Sequence, residues 1–394
     1  MESSSEKVSR RAILTAGAVG VAATATACVP RPLPGWGGPG GGGGTPPVVL
    51  DRATVERLDE LLLDGWQASG MPGVAAGAWI RGRRWIRTHG VADLATGRPF
   101  RADGHVRIAS ISKTFTGTAV LQLVDRGRLR LDDVLERFVP GIPNGDRITV
   151  RDLLAMRSGV WDFTSDEDLI GRWDADPLIP WTPQDTVQLI RAHGEADFEP
   201  GERVVYCDSN YVLLGLIAEQ ASGRSIDRLI NDGIVAKLGL GGTRFPTKQE
   251  VGIPDPHPTG YRPGPDGGSL AVGDMNPELA WTAGNMTSRL DDLRRWADEL
   301  AAGRLLSRRL QRERLQGQRF TGQSIDYGYG LGVTTLNDIV GHNGAIIGFS
   351  SAAFRYPQAD ATFVVIGNRS TNFTTPTMDI FLRFVQALFP DQLR

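Results

Sequence analysis

The sequence predicts an α+β domain: one antiparallel sheet flanked by helices, with a mostly helical subdomain inserted into it. Three observations carry this. A helix followed by a hairpin pattern opens the folded part, and strand patterns return near the end. Between them, about 125–280, lie helical patterns broken by Pro and Gly loops. No internal repeat is visible, and 394 residues that are 41% hydrophobic are ample for one large core.

Each element has its own signal. Val55, Leu58, Leu62 and Trp66 recur at helical spacing behind Asp51 and Thr54, both good caps. The stretches 74–80 and 84–91 flank Arg81-Gly82-Arg83 as a hairpin. Ile111, Phe115, Ala119 and Leu123 mark a buried helix that starts near Ser110 and stops by Gly127. In the middle segment, 253–268 is the most loop-like part. Strands are expected at 327–334, 346–355 and 362–366, with a closing helix at 377–388. The α/β part therefore covers about 51–124 and 281–394, and the helical part about 125–280.

The first fifty residues are an address. Arg10-Arg11 precede a weakly apolar stretch that ends near Ala27, with the layout of an export signal of twin-arginine type. That stretch is too short and alanine-rich for a membrane span. Cys28 after Ala25-Thr26-Ala27 matches a lipoprotein cleavage box, so two outcomes are open: a lipid tether at Cys28, or cleavage of residues 1–28 and release. Residues 29–50 are a Gly/Pro linker. An exported, extracytoplasmic protein is expected, tethered to a membrane if Cys28 is lipidated.

Charge narrows the function classes. A net charge of −2 without basic runs argues against nucleic acid as a partner. The five histidines are scattered and none pairs with Cys or carboxylates at ligand spacing, so neither a metal nor another cofactor is expected. Only four lysines occur (Lys7, Lys113, Lys237 and Lys248) against 39 arginines. Lysine, unlike arginine, can lose its proton when partly buried. Lys237 and Lys248 read as solvated surface residues, whereas Lys113 sits in an apolar run.

Ser110-Ile111-Ser112-Lys113 is a Ser-x-x-Lys pattern at a helix start. Residues three apart share a helical face, so the lysine can reach the hydroxyl. A desolvated lysine can take the serine proton, and the helix N-terminus offers an N–H to an oxyanion. The pattern alone is weak, because 19 serines and four lysines yield it by chance in about one such chain in five. Two further blocks strengthen it. Phe198-Glu199-Pro200-Gly201 leads to Tyr206-Cys207-Asp208-Ser209-Asn210-Tyr211, and Gly341-His342-Asn343-Gly344 stands where the final strands begin. On residue chemistry alone, Tyr206 is an acid–base phenol or a strand aromatic, His342 a site residue or a turn residue. Cys207 reads as a small buried filler. Trp161, Trp173 and Trp181 line a cleft or pack in core and loops.

These ordered blocks, together with 148–154 and Arg157-Ser158-Gly159-Val160, resemble the serine β-lactamase and penicillin-binding-protein family, in particular its class C β-lactamases and soluble D-alanyl-D-alanine carboxypeptidases. The resemblance runs from about Val55 to Asn368. It implies an acyl-enzyme hydrolase without cofactor, acting on a small molecule or peptidoglycan peptide, with β-lactams as possible ligands. It makes Ser110 the nucleophile, Lys113 its base, Tyr206 the proton shuttle to the leaving group, and His342 with Gly344 the strand motif. The oxyanion donors would be the N–H groups of Ser110 and Ala345.

Three positions depart from the family pattern. Asp208 replaces an asparagine that would donate to the substrate carbonyl, and an ionised carboxylate cannot donate. Such a negative neighbour would also hold the proton of Lys113 more firmly, which predicts slow acylation by amides. Asn343 replaces a threonine. Thr334 stands where the carboxypeptidase branch has an arginine, and no arginine lies between 320 and 354. A carboxylesterase is therefore a second expectation, and a catalytically weakened cell-wall binding module a third.

Overall fold

In the computed structural model, residues 48–264, 266–320, 327–370 and 375–393 are described. The export signal, Cys28 and most of the Gly/Pro linker lie outside them.

An eight-stranded antiparallel sheet organises the chain. Helix Arg52–Ser69 comes first, with Asp51 accepting from Thr54 N as its cap and Gly70 (φ +64°) closing it. The hairpin of β1 (Gly73–Ile80) and β2 (Arg83–Gly90) follows. Then come the short β3 (Val106–Arg107), a 3-10 turn at Ala109–Ile111 and helix Ser112–Asp125. The middle segment supplies helices Val150–Leu154, Glu167–Ala175, Pro183–His193, Ser209–Ser222 and Ile226–Ile230. It also holds a small hairpin of β4 (Gly260–Pro263) and β5 (Ser269–Val272). After helix Pro277–Gly284, β6 (Thr287–Ser288) pairs with β3, and helix Leu290–Ala302 follows. The remaining strands are β7 (Gln318–Arg319), β8 (Tyr327–Tyr329), β9 (Thr334–Leu336), β10 (Ile339–Ile346), β11 (Phe349–Tyr356) and β12 (Ala361–Gly367). Helix Pro376–Leu388 packs back on the sheet, whose order is β2-β1-β12-β11-β10-β9-β8-β7.

Strand alternation splits the core in two. Val74, Ala76 and Ala78 of β1, with Phe363 and Val365 of β12, face helices Arg52–Ser69 and Pro376–Leu388. Ala75, Val364 and Ile366 face the other way, into the larger core built on helices Ser112–Asp125, Ser209–Ser222 and Leu290–Ala302. Strands buried on both faces read as continuous apolar runs, as β12 does.

Three strand expectations need correction. The stretch 327–334 is two strands, because the chain turns at 330–333: Gly330 N bonds Val333 O at 2.8 Å, and Gly332 sits at φ +78°. The strand expected to begin at 346 begins at Phe349, because Ile347-Gly348 is the tight turn joining β10 and β11, with Gly348 at φ +90°. The loop-like 253–268 contains β4. The helix expected near Ser110 opens as the 3-10 turn and turns regular at Ser112.

Candidate active site

Helix Ser112–Asp125 is central. Its first twelve residues, Ser112 to Leu123, are all buried, so it carries no polar face. Ser110 precedes it in the 3-10 turn, behind Ala109, whose φ of +50° is rare for a residue with a Cβ. Such strain persists where surrounding contacts over-determine it. Here β10 supplies them: a Cβ on Gly344 would stand 2.4 Å from Ile108 O and 2.9 Å from Ser110 N, so only glycine allows this approach. Ser351, opposite Gly344 on β11, ties the same turn by donating to Ile108 O at 2.8 Å.

Lys113 is fully buried, and all three of its ammonium protons are assigned. They go to Ser110 Oγ at 3.0 Å, Asp208 Oδ1 at 2.5 Å and Ala283 O at 2.8 Å. A buried ammonium needs such partners, and Asp208 is its one ion-pair partner among the described residues. Lys113 Nζ also lies 4.9 Å from the Tyr206 ring centroid and 5.7 Å from that of Tyr211. In this state the lysine is a donor to the serine.

Tyr206 and Asp208 lie just before helix Ser209–Ser222, on a segment held by the 156–163 loop. Val205 N bonds Met156 O at 2.9 Å, Asp208 N bonds Asp162 Oδ2 at 3.0 Å, and Phe163 N bonds Ser209 Oγ at 2.9 Å. The Tyr206 phenol stands close enough to the Ser110 side chain for the two to interact. Burial first and the Asp208 charge second push its proton affinity well above that of an ordinary phenol. Asp162 is buried, and its carboxyl is pushed up to about 7, by burial first and then by Asp208.

The opposite wall is β10. Its ladder with β9 ends at Gly341↔Thr334, while its ladder with β11 runs on to Ile346. Beyond Gly341 the outer edge of β10 has no strand partner among the described residues, and the alternation of an antiparallel ladder turns the Asn343 and Ala345 backbone groups toward that edge. His342 is buried on the side of Gly344. Its Nδ1 faces Asn343 O at 2.5 Å, and because a carbonyl only accepts, Nδ1 carries the hydrogen. Nε2 is then the acceptor for the Tyr329 hydroxyl at 3.1 Å. Burial first and Lys113 second lower this imidazole to about 3, so it is neutral.

The structure thus brings Ser110 and Asp208 into direct contact with Lys113, with Tyr206 beside them and Gly344 against the Ser110 turn. His342 faces Tyr329, its ring centroid 6.1 Å from that of Tyr206. Thr334 ends the β9 ladder and is buried. Among the described residues no cluster of three His, Cys, Asp or Glu could hold a metal. Cys207 is buried, with Sγ 3.3 Å from Val160 O. Trp161 stacks on His193 with centroids 4.3 Å apart, Trp173 is buried, and Trp181 donates to Thr186 Oγ1 at 2.9 Å. Sequence reasoning missed Asp162 and Tyr329. Asp162 directly follows the Ser158-Gly159-Val160-Trp161 stretch, and its place there was the one available signal.

A mixed sheet-and-helix fold with serine and lysine paired at its central helix defines a class, the penicillin-recognising hydrolases and their relatives. The chain belongs to the Beta-lactamase family, whose sequence profile matches residues 58–387. It is 27% identical over 332 residues to penicillin-binding protein 4* of Bacillus subtilis, covering 81% of this chain and 72% of that one. It is 26% identical to a D-aminopeptidase of Cereibacter sphaeroides, covering 82% of this chain but only 60% of the relative. Among solved structures, a D-stereospecific amidohydrolase from a Streptomyces species superposes with TM-score 0.74 at 29% identity, covering 86% of this chain and 98% of that one. The octameric penicillin-binding protein homologue of Pyrococcus abyssi gives TM-score 0.74 at 25% identity, over 85% and 77%. The family and its relatives make the chain a hydrolase.

Proposed function

We propose that the protein is an exported serine hydrolase that forms an acyl-enzyme on Ser110 and cleaves amide bonds next to D-amino acids, as a penicillin-binding or D-peptidase enzyme. The observation that carries this is the hydrogen bond from Lys113 Nζ to Ser110 Oγ at 3.0 Å, with the Tyr206 ring centroid 4.9 Å from the same nitrogen. The substrate carbonyl carbon would be attacked by Ser110 Oγ, whose proton passes to Lys113 in its amine form. Tyr206 then hands a proton to the leaving amine. The N–H groups of Ser110 and Ala345 stabilise the oxyanion, and water reverses the sequence to release the acid. D-Selectivity is supported by the relatives named for D-aminopeptidase and D-stereospecific amidohydrolase activity. Export with a tether at Cys28 rests on the sequence alone.

A carboxylesterase is the second reading, favoured by Thr334 at the position where the carboxypeptidases carry an arginine. Without that anchor a terminal carboxylate is gripped less, and activated esters need less help at the leaving group.

Intact mass after incubation with benzylpenicillin, for wild type and Ser110→Ala, tests the core of the proposal. A serine-dependent adduct is expected, with hydrolysis of D-alanine nitroanilide lost in the variant. No adduct and no nitroanilide turnover, with nitrophenyl ester hydrolysis intact, would move the esterase ahead. Loss of all three activities in the wild type would leave a binding module. The same mass, read on protein recovered from the producing cells, shows whether Cys28 carries a diacylglyceryl group.

A further inference from the structure

We propose that Asp162 is a positioning residue that acts through Asp208 to set how firmly Lys113 keeps its proton, so that Ser110 is activated less readily when Asp162 is ionised. This rests on the acyl-enzyme reading above.

The geometry comes first. Asp162 is 7% exposed, and among the described residues no basic side chain forms an ion pair with it. Its two oxygens accept main-chain donors, Oδ1 from Thr164 N at 3.1 Å and Oδ2 from Asp208 N at 3.0 Å, and the Thr164 side chain also favours the carboxylate. The second of these belongs to the residue whose own carboxylate grips Lys113 at 2.5 Å. Asp208 alone touches the buried ammonium, and Asp162 stands behind it with no cation of its own among the described residues. With all three ionised the cluster carries one uncompensated negative charge, in a place where burial penalises it. Protonating Asp162 removes that charge and leaves a balanced Lys113–Asp208 pair.

The chemical consequence follows from the proton count. To receive the Ser110 proton, Lys113 must first release one of its three to solvent, becoming an amine. Asp208 opposes that release, and a second negative charge behind it opposes it further. With burial and Asp208 holding the Asp162 carboxyl at about 7, the second charge arrives within the working pH range. Acylation should then gain less with each pH unit above neutrality than a site waiting to lose a single proton would.

The groups facing Asp162 are few. Tyr206, Cys207 and Asp208 face it from the loop before helix Ser209–Ser222, and Lys113 lies behind Asp208 on the central helix. The Tyr206 and Cys207 protons are held well above neutral pH. His193, at the end of helix Pro183–His193, stacks on the adjoining Trp161 and serves as the control below.

The test is the second-order labelling rate of Ser110 by a fluorophosphonate between pH 5.5 and 8.5, for wild type, Asp162→Asn and His193→Gln, with folding checked by circular dichroism. Asparagine keeps one acceptor for a main-chain N–H and carries no charge. The expected result is a wild-type rate that climbs with pH below about 7 and flattens above it, so that by pH 8 it lies about three- to tenfold below what its low-pH slope would give. His193→Gln should keep that flattening. Asp162→Asn should match wild type at pH 5.5 and exceed it by the same factor at pH 8. A folded Asp162→Asn that is slower at every pH would make Asp162 a mere clamp and overturn the proposal. So would a wild-type rate that keeps one unbroken slope from pH 6 to 8, a result that needs no variant. Absence of Ser110 labelling at any pH would instead refute the acyl-enzyme reading beneath it.

Discussion

The two walls of the site handle protons in opposite ways. On the helical side, Lys113, Asp208 and Asp162 form a charged cluster with one more acid than base, and its proton count shifts near neutral pH. On the sheet side, His342 and Tyr329, met by Tyr211 from helix Ser209–Ser222, are equally buried but neutral. Tyr329 lies 3.1 Å from His342 Nε2 and 3.4 Å from the Tyr211 hydroxyl, which donates to Leu154 O at 3.1 Å. Burial pushes both tyrosines up and the histidine down. Desolvation disfavours whichever form is charged, so isolated groups stay neutral while a paired acid and base stay ionised. One wall can exchange protons during turnover, and the other can only orient.

The sharpest break of this contrast is Lys113→Met, which removes the only cation of the charged wall and leaves Asp208 and Asp162 facing each other. Fluorophosphonate labelling of Ser110 should slow by about a thousandfold, within the range for losing a general base. The variant should also be less stable to heat above pH 7 than below pH 5, because two unpaired buried carboxylates must then ionise. A labelling rate within tenfold of wild type would show that Lys113 is not the base.

Parts of both walls were legible in the sequence, for different reasons. Ser110 and Lys113 are three residues apart on one helix, so their contact follows from helical geometry alone. Tyr206 and Asp208 lie 93 or more positions beyond Lys113, and only the ordered motif brought them to it. Asp162 escaped notice because its contact with Asp208 spans 46 positions and runs through a loop amide. Tyr329 escaped for a backbone reason. Reading 327–334 as one strand hid the turn at Gly330 and Gly332, and with it the antiparallel path that sets β9 between β8 and β10. The Gly341-His342-Asn343-Gly344 stretch has the composition of a turn. It lies inside β10 because its glycines serve close packing: a Cβ on Gly341 would stand 2.2 Å from Ala353 O.

A smaller change sharpens the comparison. Asp208→Asn keeps the side chain's size and an acceptor for Lys113 while removing the charge that holds its proton. It also restores a donor for the substrate carbonyl. Hydrolysis of D-alanine nitroanilide at pH 7.5 should rise by about tenfold, the equivalent of one pKa unit. Esters, whose leaving groups need less assistance, should gain less. If the variant hydrolyses the anilide no faster than wild type, Asp208 is not what restrains acylation.

The smallest effect, and the one that separates the walls most directly, is on stability. His342 has its folded value lowered to about 3 from an ordinary 6.5. Below pH 6.5 the unfolded chain takes up a proton that the folded site refuses, so this contribution is complete above 6.5 and is lost as pH falls toward 3. Its slope is at most about 1.4 kcal/mol per pH unit. Asp162 runs the other way. Its carboxyl is raised from 3.8 to about 7, so the folded form holds a proton the unfolded chain releases, and its contribution declines as pH climbs from 3.8 to 7. Thermal melts of wild type and His342→Gln between pH 4 and 8 read the first slope. Glutamine keeps a donor and an acceptor but does not titrate. The wild type's lead in Tm at pH 7.5 should therefore shrink steadily toward pH 4. Parallel curves would mean that the imidazole is already charged in the fold, and that the sheet wall is not neutral.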